Sequence, residues 1–186
     1  MDASTALALP DPPLRDDVVA LRPWVASDAD VLERVGRDVA IRRFRASHPR
    51  SSEETRAWLA HIESGRLTGD RLELAVTDAR SEVVVGAVTL WSVRLAYRSA
   101  MMNYWVAPEA RGRGVATAAV RLLARWCFDS LGLARLQLFV EPDNAASLRT
   151  AEACGFIEEG RLRSHVEHEG HRYDSLVHGL LPGELR

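Results

Sequence analysis

At 186 residues with 47% hydrophobic side chains, the chain is long enough for one compact domain with a substantial core. A formal net charge of -2 excludes a general attraction to nucleic acid or to an anionic membrane, both of which need a basic face. Recognition therefore has to be local; all of the positive charge is arginine, which by itself points to no function.

Residues 1–16 mix Ala, Pro and Asp without periodicity, a composition that predicts a tail outside the fold, with a single domain over 17–186. The absence of a basic stretch near Met1 argues against a secretory signal, and a cytoplasmic protein is expected. Residues 18–21 suit a first strand, and Ser27 with Asp30 opens a helix that runs to about Gly36. Ser51 with Glu54 three residues on opens a second helix with Trp58, Leu59 and Ile62 on one side. Between the two helices, residues 41–45 (Ile41, Arg42, Arg43, Phe44, Arg45) read as a basic loop.

From Leu72 the period changes to alternation, and residues 72–76, 83–91 and 100–106 predict an antiparallel meander of three strands. The apolar run 83–91 is far shorter than the ~20 residues a membrane helix needs. Gly112 and Gly114 punctuate the chain before a helix over 115–131, closed by Gly132. A short strand over 136–140 follows, then a helix over 145–154 capped by Asp143 or Asn144. The chain ends in a hairpin, with strands near 162–167 and 172–180 and its turn at Glu169 and Gly170. Cys127 and Cys154 fall inside predicted helices and read as small buried hydrophobes, not as a disulfide framework.

The stretch from Val106 to Ala116, which contains Arg111, Gly112, Arg113, Gly114 and Val115, joins a strand to a long helix through an Arg/Gly loop. The first amides of a helix lack intrahelical acceptors and sit at the positive end of its dipole, so such a loop forms an anion site. Glycines let a phosphate approach the backbone, and the two arginines add charge. A Walker A loop is excluded because no Gly-Lys-Ser/Thr ending is present. A solvated loop with no ligand is the plainer alternative.

Arg111, Gly114 and Ala116 match the R/Q-x-x-G-x-G/A pattern of the GNAT superfamily, and Asn144, Ser147, Glu152, Gly155 and Phe156 resemble the N-x-x-S…E-x-x-G-F signature of its RimJ/RimL branch. Leu21-Arg22, residues 41–44, Trp58-Leu59 and Asp174 extend the resemblance over most of the chain. It implies an α/β fold with a mixed, strongly twisted sheet of six or seven strands, flanked by about four helices. The sheet would be splayed between its fourth and fifth strands, with acetyl-CoA in the opening. It further implies transfer of the acetyl group to a primary amine by direct attack, the acceptor being the N-terminal α-amine of a protein or peptide. Alternatives are a small-molecule amine, succinyl-CoA as donor, or a CoA-binding sensor without catalysis. Backbone groups near Trp105 and Val106 would hold the pantetheine arm together with Asn144, and the 111–116 loop would hold the pyrophosphate. Ser147 would donate a proton to the leaving thiolate. The resemblance is also compatible with a homodimer.

One departure matters. Many members carry Tyr seven residues after the Asn, and this chain has Ala151 there. The general base is left open among Glu167, His165 and Glu141 or a water relay. His165, His168 and His171 invite a metal reading, but residues three apart on a strand face opposite sides, and no metal is expected. Arg42, Arg43 and Phe44 are expected to flank the acceptor pocket.

Overall fold

The computed structural model describes residues 6–44, 49 and 51–186, with the side chains of Arg43 and Phe44 outside the description. In chain order the elements are β1 (Val19–Arg22), α1 (Ala29–Val35), α2 (Val39–Phe44), α3 (Ser52–Leu67), β2 (Leu72–Asp78), β3 (Val84–Arg94) and β4 (Ser99–Val106). They continue with α4 (Val115–Asp129), β5 (Arg135–Val140), α5 (Ala145–Cys154), β6 (Ile157–His168) and β7 (His171–Leu180). No helix among the described residues is long and apolar enough to cross a membrane.

The seven strands form one mixed sheet in the order β1-β2-β3-β4-β5-β7-β6. The meander β2-β3-β4 is antiparallel, as the alternation predicts. The terminal hairpin turns at Glu169 and Gly170, and its last strand, β7, lies between β5 and β6. Only β4 and β5 run parallel, and they pair over three positions, Ser99 with Arg135 to Met101 with Gln137. Beyond Met101 the two strands part, which is the splay expected between the fourth and fifth strands.

Helices cover both faces of the sheet. On one face α4 presents Val120, Leu123, Ala124 and Cys127, at three- and four-residue spacing, to Leu72, Leu74 and Val76 of β2, Leu90 of β3 and Leu136 of β5. On the other face, Leu32, Val35, Ile41, Trp58 and Ile62 from α1, α2 and α3 pack on Ala75, Ala87 and Trp105. The central strands β2 and β3 are therefore buried on both sides. Each fully buried Leu or Val in such layers contributes ~1.5–3 kcal/mol of transfer free energy.

Two expectations change. Residues 41–45 read as a loop, but residues 41–44 complete α2, and Arg45 lies outside the described residues. The helix starts because the Asp38 carboxylate accepts the Ile41 N–H at 2.8 Å, and it is held because Ile41 is buried in the second core. Residues 6–16 also depart from the expected free tail. Leu7 is 2% exposed, its N–H bonds to the Arg66 carbonyl at 2.8 Å, and the Arg66 guanidinium returns a bond to the Leu7 carbonyl at 2.9 Å. Leu14 packs on the same core.

Candidate active-site cleft at the sheet splay

Where β4 and β5 separate, a cleft of about 710 Å³ opens. Its walls are Met102 to Val106 of β4, Leu138 to Val140 of β5 with Glu141, the N-terminal ends of α4 and α5, and Ala40 and Ile41 of α2. The β4 wall is held rigidly from behind. Trp105 stacks on Trp24 with centroids 6.3 Å apart, and Trp24 meets Trp58 edge-on at 5.4 Å. On β3, Gly86 lets the two strands come together, because a Cβ there would lie 2.4 Å from the Trp105 carbonyl oxygen.

At one end of the cleft lies the Arg/Gly loop. Gly112 and Gly114 adopt φ of +73° and +77°, the left-handed region where glycine carries no Cβ penalty. Gly114 is the N-cap of α4, and no side chain caps that end. The first intrahelical bond runs from the Ala118 N–H to the Gly114 carbonyl at 3.0 Å, so the amides of Val115, Ala116 and Thr117 point out of the helix without an intrahelical acceptor. Open space surrounds both glycines where a Cβ would project. The Arg111 guanidinium also lines the cleft and donates to the Val106 carbonyl at 3.2 Å and to Asp38 at 3.0 Å. Arg113 turns away to Asp78 at 3.1 Å and is not part of the cleft wall. The uncapped amides, the open glycine cradle and the adjoining Arg111 fit an extended anion such as a pyrophosphate.

Midway along the cleft, Asn144 caps α5, its side-chain oxygen accepting the Ser147 N–H at 3.1 Å. Both residues line the cleft. Ser147 is anchored from the opposite wall by the Tyr104 hydroxyl, which donates to the Ser147 carbonyl at 3.3 Å. Burial pushes the Tyr104 phenol above its ordinary range, which keeps it a neutral donor. Ala151 is fully buried behind the α5 wall. Neither cysteine faces the cleft, and burial raises both thiols, Cys154 to about 11.

The far end separates the three base candidates. Glu141, 7% exposed, lines the cleft, and its Oε1 lies 3.1 Å from His168 Nε2. His165 sits outside the wall, with Nδ1 3.0 Å from the Ser175 hydroxyl and its ring 5.0 Å from Phe139. Glu167 is exposed and paired with Arg172 at 3.3 Å. The three histidines thus engage three different groups, His171 taking the Glu169 carbonyl at 3.2 Å. Arg42 reaches Glu169 at 3.9 Å near this end. Residues that sequence reasoning missed are Tyr104, His168 as a cleft residue, and Asp38. Tyr104 and His168 carry no local motif, and Asp38 precedes a helix of only six residues that the basic composition disguises.

Comparison with known proteins fits this geometry. The model of the acetyltransferase (GNAT) domain matches residues 19–157. Mycobacterium smegmatis RimJ, solved in complex with CoA-disulfide, superposes with a TM-score of 0.79 at 28% identity, covering 93% of this chain and 87% of that one. YdaF of Bacillus subtilis (strain 168), provisionally named a ribosomal N-acetyltransferase, is 33% identical over 99 residues, 53% of this chain and 54% of YdaF. The spermidine N(1)-acetyltransferase of Vibrio cholerae serotype O1 is 33% identical over 87 residues, 47% of this chain and 50% of that protein. The chain therefore spans about half the length of these two curated relatives. With the family's domain matched over most of the chain and the splayed sheet in place, the protein belongs to the GNAT acetyltransferase family.

Proposed function

We propose that this protein transfers an acetyl group from acetyl-CoA to a single primary amine, the N-terminal α-amine of a protein or peptide. The observation that carries the reading is the uncapped start of α4, with its open Gly112 and Gly114 cradle, facing the cleft where β4 leaves β5. The amides of residues 115–117 and Arg111 would hold the pyrophosphate. Backbone groups at Trp105 and Val106, with the Asn144 amide, would line the pantetheine arm. Bound acetyl-CoA supplies a thioester carbonyl open to nucleophilic attack. Fixed backbone amides along the open edge of β4 would polarise that carbonyl, and Ser147 would donate a hydrogen bond to the departing sulfur.

The acceptor assignment rests on charge. Glu141 is the one carboxylate lining the cleft among the described residues, whereas Arg111 and Arg149 both line it. A polyamine carries several cationic centres and would be repelled there, while an α-amine presents one. Its ordinary pKa near 8 also leaves part of it neutral at pH 7. Both chemistries occur among the relatives, so the acceptor panel decides between them.

The test is acetyl-CoA turnover, read as thiol release, across N-terminal peptides, spermidine and other small amines. Peptides turn over and spermidine does not. Ser147→Ala lowers kcat by about 10²-fold while CoA affinity stays within about twofold, as expected for loss of an acid. Turnover of spermidine with no peptide accepted would overturn the acceptor assignment, and an unchanged kcat in Ser147→Ala would remove that residue from the chemistry.

A further inference from the structure

We infer that His168 is the general base of the amine-transfer reaction and that Glu141 positions it. The inference rests on the acetyl-transfer reading above and adds a proton acceptor to it. Glu141 is almost fully buried, and a carboxylate can only accept hydrogen bonds. When His168 is neutral and Glu141 ionised, the 3.1 Å contact from Nε2 to Oε1 holds the proton on Nε2, and Nδ1 keeps the lone pair. The His168 side chain is 17% exposed and lines the cleft, and Glu141 closes the same wall. This is the arrangement in which a buried carboxylate fixes an imidazole's tautomer and orientation and stabilises the imidazolium once it forms.

The two groups come from different parts of the sheet. Glu141 follows the last residue of β5, and His168 is the last residue of β6, with β7 between the two strands. The Tyr173 ring on β7 flanks the imidazole, with centroids 5.9 Å apart. The other charged groups near this end are Arg42 and Glu169, paired with each other, and Arg149 on α5. Glu167 pairs with Arg172 outside the cleft, and His165 lies behind the wall residues Ser175 and Phe139, so His168 is the imidazole that lines the cleft itself.

The proton balance closes without a further reactant. His168 Nδ1 takes one proton from the acceptor ammonium, giving a neutral amine and an imidazolium paired with the Glu141 carboxylate. The amine nitrogen bonds to the thioester carbonyl carbon and the C–S bond breaks. The second proton lost by the nitrogen goes to the sulfur through Ser147, and the imidazolium returns its proton to water.

The experiment compares wild-type enzyme, His168→Gln, Glu141→Gln and His171→Gln on the preferred acceptor, with kcat/KM followed across pH and CoA affinity and thermal midpoint measured alongside. His168→Gln is expected to lose about 10²- to 10⁴-fold in kcat, to lose one ionisation on the acid side of the profile, and to regain rate with added imidazole. Its CoA affinity stays unchanged. Glu141→Gln shows a smaller loss with a displaced profile, and His171→Gln behaves as wild type. If His168→Gln keeps the wild-type rate and pH profile, the assignment is wrong. Should a variant fail to fold, or no acceptor turn over, the ¹⁵N spectrum of the wild-type imidazoles still decides: a His168 protonated on Nδ1 instead of Nε2 overturns the proposal. A wild-type enzyme inactive on every amine but showing the expected tautomer refutes the acetyl-transfer reading instead.

Discussion

The two ends of the cleft are built from different materials. The α4 end is made of main chain: two glycines at positive φ and amides that lack intrahelical acceptors, with one guanidinium beside them. The opposite end is made of side chains, Glu141 and His168, that meet across 27 residues of sequence. A backbone site depends on a local conformation that a few neighbouring residues can encode. A side-chain site depends on strand order and register, which only the whole sheet supplies. The difference separates what a change at each end should do.

If the α4 end is made of backbone, a backbone lesion should outweigh any charge deletion there. Gly114→Val places a β-branched side chain at φ +77° and into the open cradle. It is expected to weaken CoA binding on the order of 100-fold, about 2.7 kcal/mol, and to lower the thermal midpoint as well, because a β-branched residue is strained at that φ. Calorimetric titration with CoA checks it, and an affinity within threefold of wild type would show that side chains dominate after all.

Arg111→Ala should cost less, about tenfold in CoA affinity. A second readout comes from Asp38. Burial alone would push its carboxyl up, but hydrogen bonds from the Ile41 N–H and from Arg111 outweigh that and hold it below the ordinary carboxylate range. A depressed folded value means the stabilisation is complete above the ordinary carboxylate range and is lost progressively as pH falls from that range through the lowered value. In Arg111→Ala the folded value rises toward the ordinary range, so the acid-dependent loss of stability becomes smaller than in wild type, and it is complete at a higher pH. Denaturant midpoints taken between neutral and acid pH test the sign.

The smallest effect belongs to Arg113→Ala. Its guanidinium is 58% exposed and bonded to Asp78 away from the cleft, so CoA affinity should change by less than about twofold and stability by no more than ~1 kcal/mol. A tenfold loss of affinity would mean that this arginine swings in when the cofactor binds.

Legibility followed the same division. The Arg/Gly loop, the Asn144 cap with Ser147 one turn on, and the hairpin turn at Glu169 and Gly170 were readable because each is a run of neighbouring residues with a local conformational demand. The insertion of β7 between β5 and β6 was not, since hydrophobic alternation tells which residues pair with a core and not which strands are neighbours. Helix α2 escaped because six residues show too little periodicity, and the partners that stabilise it are the Asp38 carboxylate and a core built by α1 and α3. Leu7 was misjudged for a similar reason: its burial is provided by Arg66 and the distant core. Among the base candidates, the sequence could list titratable residues near the right strand but could not tell that Glu167 faces Arg172 while its neighbour His168 faces Glu141.

Asp38 serves two masters, as the acceptor for the first turn of α2 and as the partner of Arg111 beside the Gly112 and Gly114 loop. Loop and helix consequently share one carboxylate and cannot be exchanged as independent modules. Replacing α2 with the corresponding helix of a relative would disturb the loop unless the residue at position 38 travelled with it, and substitutions at 38 and 111 would combine non-additively. Because one side chain touches both, a change at position 38 is felt in the helix and the loop together.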